Sequence, residues 1–175
     1  MRLSLTPITH ADAKAIARWR YDGPYAVYNG NPASVASLLQ PRYFYHSVHD
    51  DHGELVGYFC FGEDARVSAG RRSGLYDRED ALDVGLGMRP DLTGRGLGEK
   101  FVRAGLQFAE QRYSPPAFRL TVATFNRRAI RVYERAGFER VETFGAIRWN
   151  GEREWLLMRR IGVALQSEEV GGQDA

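Results

Sequence analysis

The feature that most constrains this sequence is a glycine-rich stretch that joins a predicted strand to a predicted helix. Residues 81–88 are mostly apolar, and R-P-D-L-T-G-R-G-L-G follows at once as residues 89–98. A strand that enters a helix through such a turn leaves backbone N–H groups unpaired, and the helix dipole adds positive potential at the same end. Both features favour an anion, most often phosphate. The glycines remove Cβ atoms that would hold the anion away, and Arg95 adds a mobile positive charge.

Two familiar phosphate-binding patterns fail at this stretch. The P-loop needs Lys and then Ser or Thr after its last glycine, whereas Glu99 and Lys100 follow Gly98. The dinucleotide pattern G-x-G-x-x-G needs a glycine three places after its second glycine, and Glu99 and Phe101 occupy those places. On the glycines alone, another kind of ligand-binding loop and a tight turn without a ligand both stay open.

The rest of the sequence predicts alternating strands and helices. Hydrophobic periodicity, turn residues and helix caps place these elements. They are a strand at Leu3–Leu5, a helix at about 10–20 capped by Thr9 and Asp12, a short helix at 35–39, strands at 43–48, 54–61 and 81–88, a helix to about Tyr113, a strand at 118–123, a helix from Asn126 to Ala136, and strands near 139–149 and 152–160 around Asn150-Gly151. This order predicts an α/β fold, with a mixed sheet and helices on both faces.

Three segments carry narrower predictions. Residues 62–80 show no convincing period, and structureless connections longer than about 12–15 residues are usually functional or disordered. In Phe118–Ala123, apolar residues predicted to face inward alternate with Arg119 and Thr121. Residues 164–175 hold no core residues and are predicted to be a disordered tail that follows one domain, residues 1–163.

Composition excludes several classes of protein. The 175 residues suffice for one domain, and 24 basic against 22 acidic residues are too balanced to indicate nucleic acid or an anionic membrane as a partner. No stretch approaches the roughly 18 apolar residues of a membrane span, and the N-terminus lacks the apolar core of a signal peptide. Because Cys60 is the single cysteine, an internal disulfide is excluded and a reducing compartment is favoured. We therefore expect a cytoplasmic protein.

Two motifs resemble the GNAT superfamily of acyl-CoA-dependent N-acetyltransferases. Val84–Met88 with the following R-P-D-L-T-G-R-G-L-G-E-K-F is similar to the acyl-CoA signature of that family. N-R-R-A-I-R-V-Y-E-R-A-G-F, at Asn126–Phe138, is similar to its N-x-x-A-x-x-x-Y-x-x-x-G-F block. The resemblance is tight over residues 81–138, and the order of elements extends it to about 3–161. Thr93 departs from the family pattern, which usually has Gln or Arg there.

The resemblance implies a mostly antiparallel sheet of six to seven strands that splays between the fourth and fifth strands, and acetyl-CoA as the cosubstrate, without a metal. The amides of Arg95–Gly98 would bind the pyrophosphate, and the backbone of Gly87–Arg89 would pair with the pantetheine arm. The residues that the resemblance assigns to the cofactor are Gly87, Met88, Arg89, Thr93, Gly94, Arg95, Gly96, Leu97, Gly98 and Asn126.

The implied reaction is direct attack of a neutral primary amine on the acetyl thioester, which needs a proton donor for the thiolate and an acceptor for the amine. Tyr133 is the predicted donor, because Ala129, Tyr133 and Gly137 share one helix face. Its phenol pKa, about 10, lies only about 1.5 above that of a thiol. Asp83, which opens the fourth strand, is the predicted base. A weak base favours an α-amine over a lysine, since an α-amine costs less to neutralise.

The resemblance places the acceptor near the first helix and the loop that follows it. The aromatic residues of this region are Trp19, Tyr21, Tyr25 and Tyr28, and residues 62–80 and Trp149–Asn150 complete the predicted acceptor side. The acceptor, a small molecule or a peptide, is not identified. A non-catalytic acyl-CoA-binding domain, a transferase for a longer acyl group, and a monomer or homodimer all stay open.

Three other features are interpreted as structural. His46 and His49 fall on opposite sides of a predicted strand, so H-S-V-H-D-D-H does not predict a metal site. Cys60 lies in an apolar strand and is predicted to belong to the core. The arginines of the last helix, Arg127, Arg128, Arg131 and Arg135, predict a solvated face, from which Arg127 or Arg128 could reach the cofactor phosphates.

Overall fold

One mixed sheet organises the chain, with strand order β1-β2-β3-β4-β5-β7-β6, in a computed structural model that describes residues 2–145 and 153–163. The strands are β1 (Ser4–Pro7), β2 (His46–His49), β3 (Leu55–Phe61), β4 (Leu82–Met88), β5 (Ala117–Ala123), β6 (Glu139–Phe144) and β7 (Trp155–Ile161). The β4–β5 pair is parallel and the other neighbouring pairs are antiparallel. The predicted fold class is confirmed.

Helices cover both faces of the sheet. They are α1 (His10–Ile16), α2 (Val35–Leu38), α3 (Ser68–Arg72), α4 (Gly98–Tyr113) and α5 (Arg127–Arg135), and short 3-10 turns lie at Gly23–Tyr28, Pro32–Ser34, Pro41–Tyr43, Glu63–Ala65 and Pro90–Leu92. Within the described residues, every helix falls short of the length and apolar character that a membrane crossing needs.

Alternation along β3 divides the interior in two. Phe59 and Phe61 face α4, where they join Phe101 and Leu106 in the main core. Tyr58 faces the other way and packs with the smaller cluster formed by α1 and α2. Because successive side chains of a strand point to opposite faces, one aromatic run supplies both layers.

Several predicted boundaries need correction. α1 ends at Ile16 rather than near residue 20, because the N–H groups of Arg18 and Trp19 bond to carbonyls three residues earlier. Residues 62–80 are not structureless, since they contain α3 and a 3-10 turn. The predicted Asn150-Gly151 turn, the strand ends beside it and the tail at 164–175 lie outside the described residues.

β4 and β5 pair over a short distance and then separate, as the family resemblance implied. Their ladder consists of Leu82 with Phe118 and Asp83 with Arg119. From Val84 to Met88, β4 pairs with β3 alone. A gap therefore opens between the carboxyl-terminal halves of β4 and β5.

A buried ion pair lies where the two strands part. Arg119 Nε lies 2.6 Å from Asp83 Oδ1, and the two side chains are 5% and 3% exposed. Arg66 Nε donates to Asp83 Oδ2 at 2.6 Å, and Arg119 also donates to the carbonyls of Leu75 and Arg78. The prediction that the residues alternating with the apolar positions of β5 face away from the interior is wrong for Arg119, because residues 62–80 cover that face.

We expect Asp83→Asn to lower the free energy of unfolding by about 3 kcal/mol, because it leaves the Arg119 guanidinium buried without its counter-charge. Chemical denaturation followed by circular dichroism measures the change. Asp80→Asn is the matched control: Asp80 pairs with Arg159 at 3.2 Å but is 42% exposed, so its loss should cost less than about 1 kcal/mol. Equal, small effects of the two substitutions would contradict a structural role for the buried pair.

Candidate active site

A cavity of about 480 Å³ occupies the gap between β4 and β5. Its walls are the gap-facing ends of these strands, the first turn of α4, one face of α5 and the aromatic 3-10 turn at Gly23–Tyr28 with Tyr21 just before it. This volume lies within the range of about 300–1,000 Å³ that is typical of small-molecule sites. The cavity brings together most, but not all, of the residues that the sequence predicted.

The glycine-rich stretch supplies bare backbone donors at one end of this cavity. Among the described residues, the N–H groups of residues 94–100 have no hydrogen-bond acceptor. Gly94 and Gly96 have φ angles of 76° and 77°, a left-handed conformation that side chains rarely adopt. Gly98 permits close packing of α4 on α5, because a Cβ there would lie 3.0 Å from the Val132 side chain.

Four predicted cofactor residues of this region differ in placement. Thr93 lines the cavity, but its hydroxyl donates to the Pro90 carbonyl at 2.8 Å. Arg95 and Leu97 do not line the cavity. Arg89 is directed away from it, because its side chain pairs with Asp91 and its N–H donates to Val56 O at 2.9 Å.

The open edge of β4 presents backbone groups to the gap. The Arg89 N–H donates to β3, and the Asp83 carbonyl accepts from Gly62 at 2.8 Å. Since orientation alternates along a strand, the odd-numbered residues of β4 pair with β3, and Leu86 and Met88 direct their N–H and C=O groups into the gap. Of the predicted range Gly87–Arg89, only Met88 directs its backbone groups into the gap, and Leu86 does so as well. The pairing with the pantetheine arm stays a prediction.

Gly87 serves the cavity by its lack of a side chain. It lines the cavity, and a Cβ at this position would collide with the Tyr58 ring on β3. The Tyr58 ring lies against the β4 backbone as a result. Tyr58 is a cavity residue that the sequence prediction missed.

Asn126 and Tyr133 of the second motif both line the cavity. The Asn126 side chain caps α5 by accepting from the Ala129 N–H at 3.2 Å, and its Nδ2 donates to the Tyr28 hydroxyl at 3.4 Å. Tyr133 is 9% exposed, and its hydroxyl makes no hydrogen bond to the described residues. Burial raises the pKa of Tyr133, so its phenol keeps its proton.

Asp83 does not line the cavity. Its two oxygens accept from the guanidinium groups of Arg119 and Arg66. The structure therefore places Asp83 in a buried ion pair outside the cavity lining, and its role as a general base stays a prediction.

Comparison with known proteins decides the family. Residues 2–139 match the family model described as acetyltransferase (GNAT) domain. The chain belongs to the GNAT acetyltransferase family. A segment of 106 residues is 45% identical to mycothiol acetyltransferase of Streptomyces coelicolor, which covers 60% of this chain but only 29% of that relative. The matched region thus spans less than a third of the relative's length.

Solved structures share the GNAT fold at low sequence identity. A chimera of Vibrio cholerae spermidine N-acetyltransferase SpeG and hSSAT is 16% identical, with a TM-score of 0.70 over 97% of this chain and 99% of that one. AAC(6')-Ib in complex with paromomycin and acetyl-CoA is 21% identical, with a TM-score of 0.66 over 99% of each chain. These likenesses concern the fold.

Aromatic side chains enclose the other end of the GNAT cavity. Tyr21, Tyr25 and Tyr28 line it, and the Tyr21 hydroxyl donates to the Met88 carbonyl at 2.8 Å. Trp19, also predicted for this side, packs against Tyr58 instead. Trp149–Asn150 lies outside the described residues.

Two further residues of the GNAT cavity, Thr121 and Trp155, were not predicted from the sequence as site residues. Thr121 on β5 lines the cavity, and its Oγ1 lies 2.8 Å from the Tyr76 hydroxyl of the 62–80 segment. Trp155 opens β7 and lines the same cavity. Strand alternation could have placed Thr121 and Tyr58 on the face opposite the core, but which residues meet there depends on long-range packing.

His46 and His49 have protein partners, and Cys60 belongs to the core. His46 Nδ1 lies 2.8 Å from the Phe44 carbonyl, whereas His49 Nε2 pairs with Asp12 Oδ1 at 3.4 Å. Cys60 is buried on β3, and burial raises the pKa of its thiol to about 12. A thiol with this pKa stays protonated and is a poor nucleophile.

We expect the GNAT domain to lose stability as pH rises above about 10, where phenols of the unfolded chain ionise. Burial raises the pKa of Tyr21 to about 12 and also raises those of Tyr58 and Tyr133. A group whose pKa is higher in the folded than in the unfolded chain stabilises the fold fully at pH values below its unfolded-state pKa. This stabilisation is lost as the pH rises through its folded-state pKa. Denaturant titrations from about pH 9 to about pH 12 should show this fall, and Tyr21→Phe should make it shallower. A pH-independent free energy of unfolding over this range would contradict the burial of these phenols.

Proposed function

We propose that the chain is an acetyl-CoA-dependent N-acetyltransferase that moves the acetyl group to a primary amine by direct attack in a ternary complex. One observation carries the proposal: one cavity connects the N–H groups at the start of α4, the open edge of β4 and the phenol of Tyr133. Within residues 2–145 and 153–163, neither those N–H groups nor the phenol has a hydrogen-bond partner. Membership of the GNAT family and the acetyl-CoA complex of a structural neighbour support it.

The chemistry of the lining fits a coenzyme A thioester. The N–H groups that follow Gly94 would receive the pyrophosphate together with the positive end of α4. The Arg128 guanidinium lies beside Gly94, with Nη1 3.2 Å from the place of a Cβ there, and adds positive charge. Leu86 and Met88 would pair with the amides of the pantetheine arm, in the manner of strand addition.

Tyr133 would supply the proton that the reaction needs on the sulfur side. The amine nitrogen forms a bond to the acetyl carbon, the carbon–sulfur bond breaks, and the departing thiolate takes the phenolic proton of Tyr133. The nitrogen loses one proton to solvent, and solvent returns the tyrosine to its neutral form. Burial raises the pKa of the Tyr133 phenol, so the phenol is protonated before the reaction and can donate a hydrogen bond to the sulfur as negative charge develops there.

We expect Tyr133→Phe to lower kcat at least about tenfold, because the departing thiolate loses its donor, with coenzyme A affinity little changed. Release of free thiol measures the rate and calorimetry measures the affinity. Tyr113→Phe is a matched control, because the Tyr113 ring lies at the end of α4, packed with Phe44 and Phe61 away from the cavity. An unchanged kcat would exclude Tyr133 as the acid.

We also expect Gly96→Ala to weaken coenzyme A binding at least about tenfold, or about 1.4 kcal/mol, because alanine strains the loop out of its left-handed conformation. Gly53→Ala controls for backbone strain, since Gly53 has a φ angle of 81° in the β2–β3 turn, outside the cavity lining. Equal affinities of the two variants would argue against the glycine loop as the phosphate site.

Absence of heat with millimolar coenzyme A, and of protection against thermal unfolding, would overturn the proposed function. Cofactor binding without thiol release in a panel of amines would indicate a non-catalytic acyl-CoA-binding domain. Faster turnover of propionyl-CoA or succinyl-CoA than of acetyl-CoA would indicate a longer acyl group.

A further inference from the structure

The acceptor end of the cavity has aromatic walls and offers no carboxylate. Aspartate and glutamate are absent from the lining residues that residues 2–145 and 153–163 provide. The rings around this end are those of Tyr21, Tyr25, Tyr28, Tyr58 and Trp155. An acceptor with several positive charges would find no counter-charge on these walls, and desolvating such charges without partners is costly.

Three carboxylates of β4 and the 62–80 segment have other partners. Asp83 is bound by Arg119 and Arg66, Asp64 accepts from the Tyr45 hydroxyl at 2.6 Å, and Asp80 pairs with Arg159. None of these three lines the cavity. An ammonium group that enters therefore meets no carboxylate from the described residues that could take its proton.

Aromatic rings can hold cations on their faces, but the chain's own guanidinium groups lie over one of these rings and over a further ring that packs behind them. Arg128 Cζ lies 4.3 Å from the centroid of Tyr25, and Arg153 Cζ lies 5.7 Å from that of Phe125. Phe125 does not line the cavity, but Tyr28 stacks on it with centroids 6.1 Å apart. A second cation beside Tyr25 or Tyr28 would therefore meet like charge.

The amine must also be neutral to attack, which favours weakly basic amines. Near neutral pH, the neutral fraction of an α-amine exceeds that of a lysine-type amine by roughly 300-fold, from their ordinary pKa values. Because the described lining offers no base to deprotonate the amine, the rate of acetyl transfer would scale with the neutral fraction of each amine.

We propose that, provided the chain is the acetyltransferase described above, its acceptor is the single, weakly basic α-amine of an amino-acid derivative whose carboxyl group is masked as an amide or ester and whose side chain is apolar or aromatic. The rings of the cavity wall receive the side chain, and the positive charge of Arg153, over the Phe125 ring that stacks on Tyr28, discriminates against polyamines.

Acceptor kinetics with acetyl-CoA test this proposal near neutral pH. Phenylalaninamide should give a kcat/KM at least about tenfold above those of spermidine and of 2-phenylethylamine, which keeps the ring but carries a strongly basic amine. Alaninamide, which keeps the α-amine but lacks the ring, should show a raised KM. Calorimetry with coenzyme A is performed first, so that failure of cofactor binding is recognised separately.

Removal of the Arg153 charge provides a second test. Arg153→Gln should raise the kcat/KM for spermidine several-fold relative to phenylalaninamide, whereas Arg140→Gln, which removes an equal charge that pairs with Glu134 on the surface, should leave the ratio unchanged. Equal or preferred use of spermidine by the wild-type chain would overturn the inference, as would coenzyme A binding without turnover of phenylalaninamide. Absence of coenzyme A binding would overturn the proposed function and the inference with it.

Discussion

The buried ion pair between Asp83 and Arg119 fixes the place where β4 and β5 stop being neighbours. It joins the last paired residues of the two strands, and Arg66 ties the covering segment to the same carboxylate. Beyond this point, each strand follows a different partner, β3 for β4 and β7 for β5. The cavity, the open edge of β4 and the access to Tyr133 all depend on this divergence.

The cavity obtains much of its polarity from backbone rather than from side chains. The start of α4 offers N–H groups at one end, and Leu86 and Met88 offer N–H and C=O groups along β4. Backbone donors of this kind recognise diphosphates and amides, which are chemically constant parts of acyl-CoA. The other end of the cavity is formed by side chains, mainly aromatic rings with guanidinium groups beside them. Selectivity for the acceptor would arise at this end.

Local signals in the sequence were sufficient to predict the conformation of the two motifs that line the cavity and insufficient to predict the rest of its lining. The glycine loop, the Asn126 cap and the position of Tyr133 on α5 all depend on spacing within one or two turns of chain, so pattern and structure agree. Arg119 was misjudged because an arginine in an alternating strand normally faces solvent, and only the fold of residues 62–80 reveals its cover. The arginine partners of Asp83 were missed for the same reason, since they are distant from it in sequence.

Because Tyr58 packs directly against Gly87 on the neighbouring strand, substitutions at these two positions depend on each other during evolution. A side chain at position 87 cannot coexist with a tyrosine ring at position 58, because the two would occupy the same space. Descendants of this chain can acquire a larger residue on β4 only after, or together with, a smaller one on β3. This ordered pair of changes would remove the Tyr58 phenol from the cavity wall. Acceptor preference would therefore change together with the residues at positions 58 and 87.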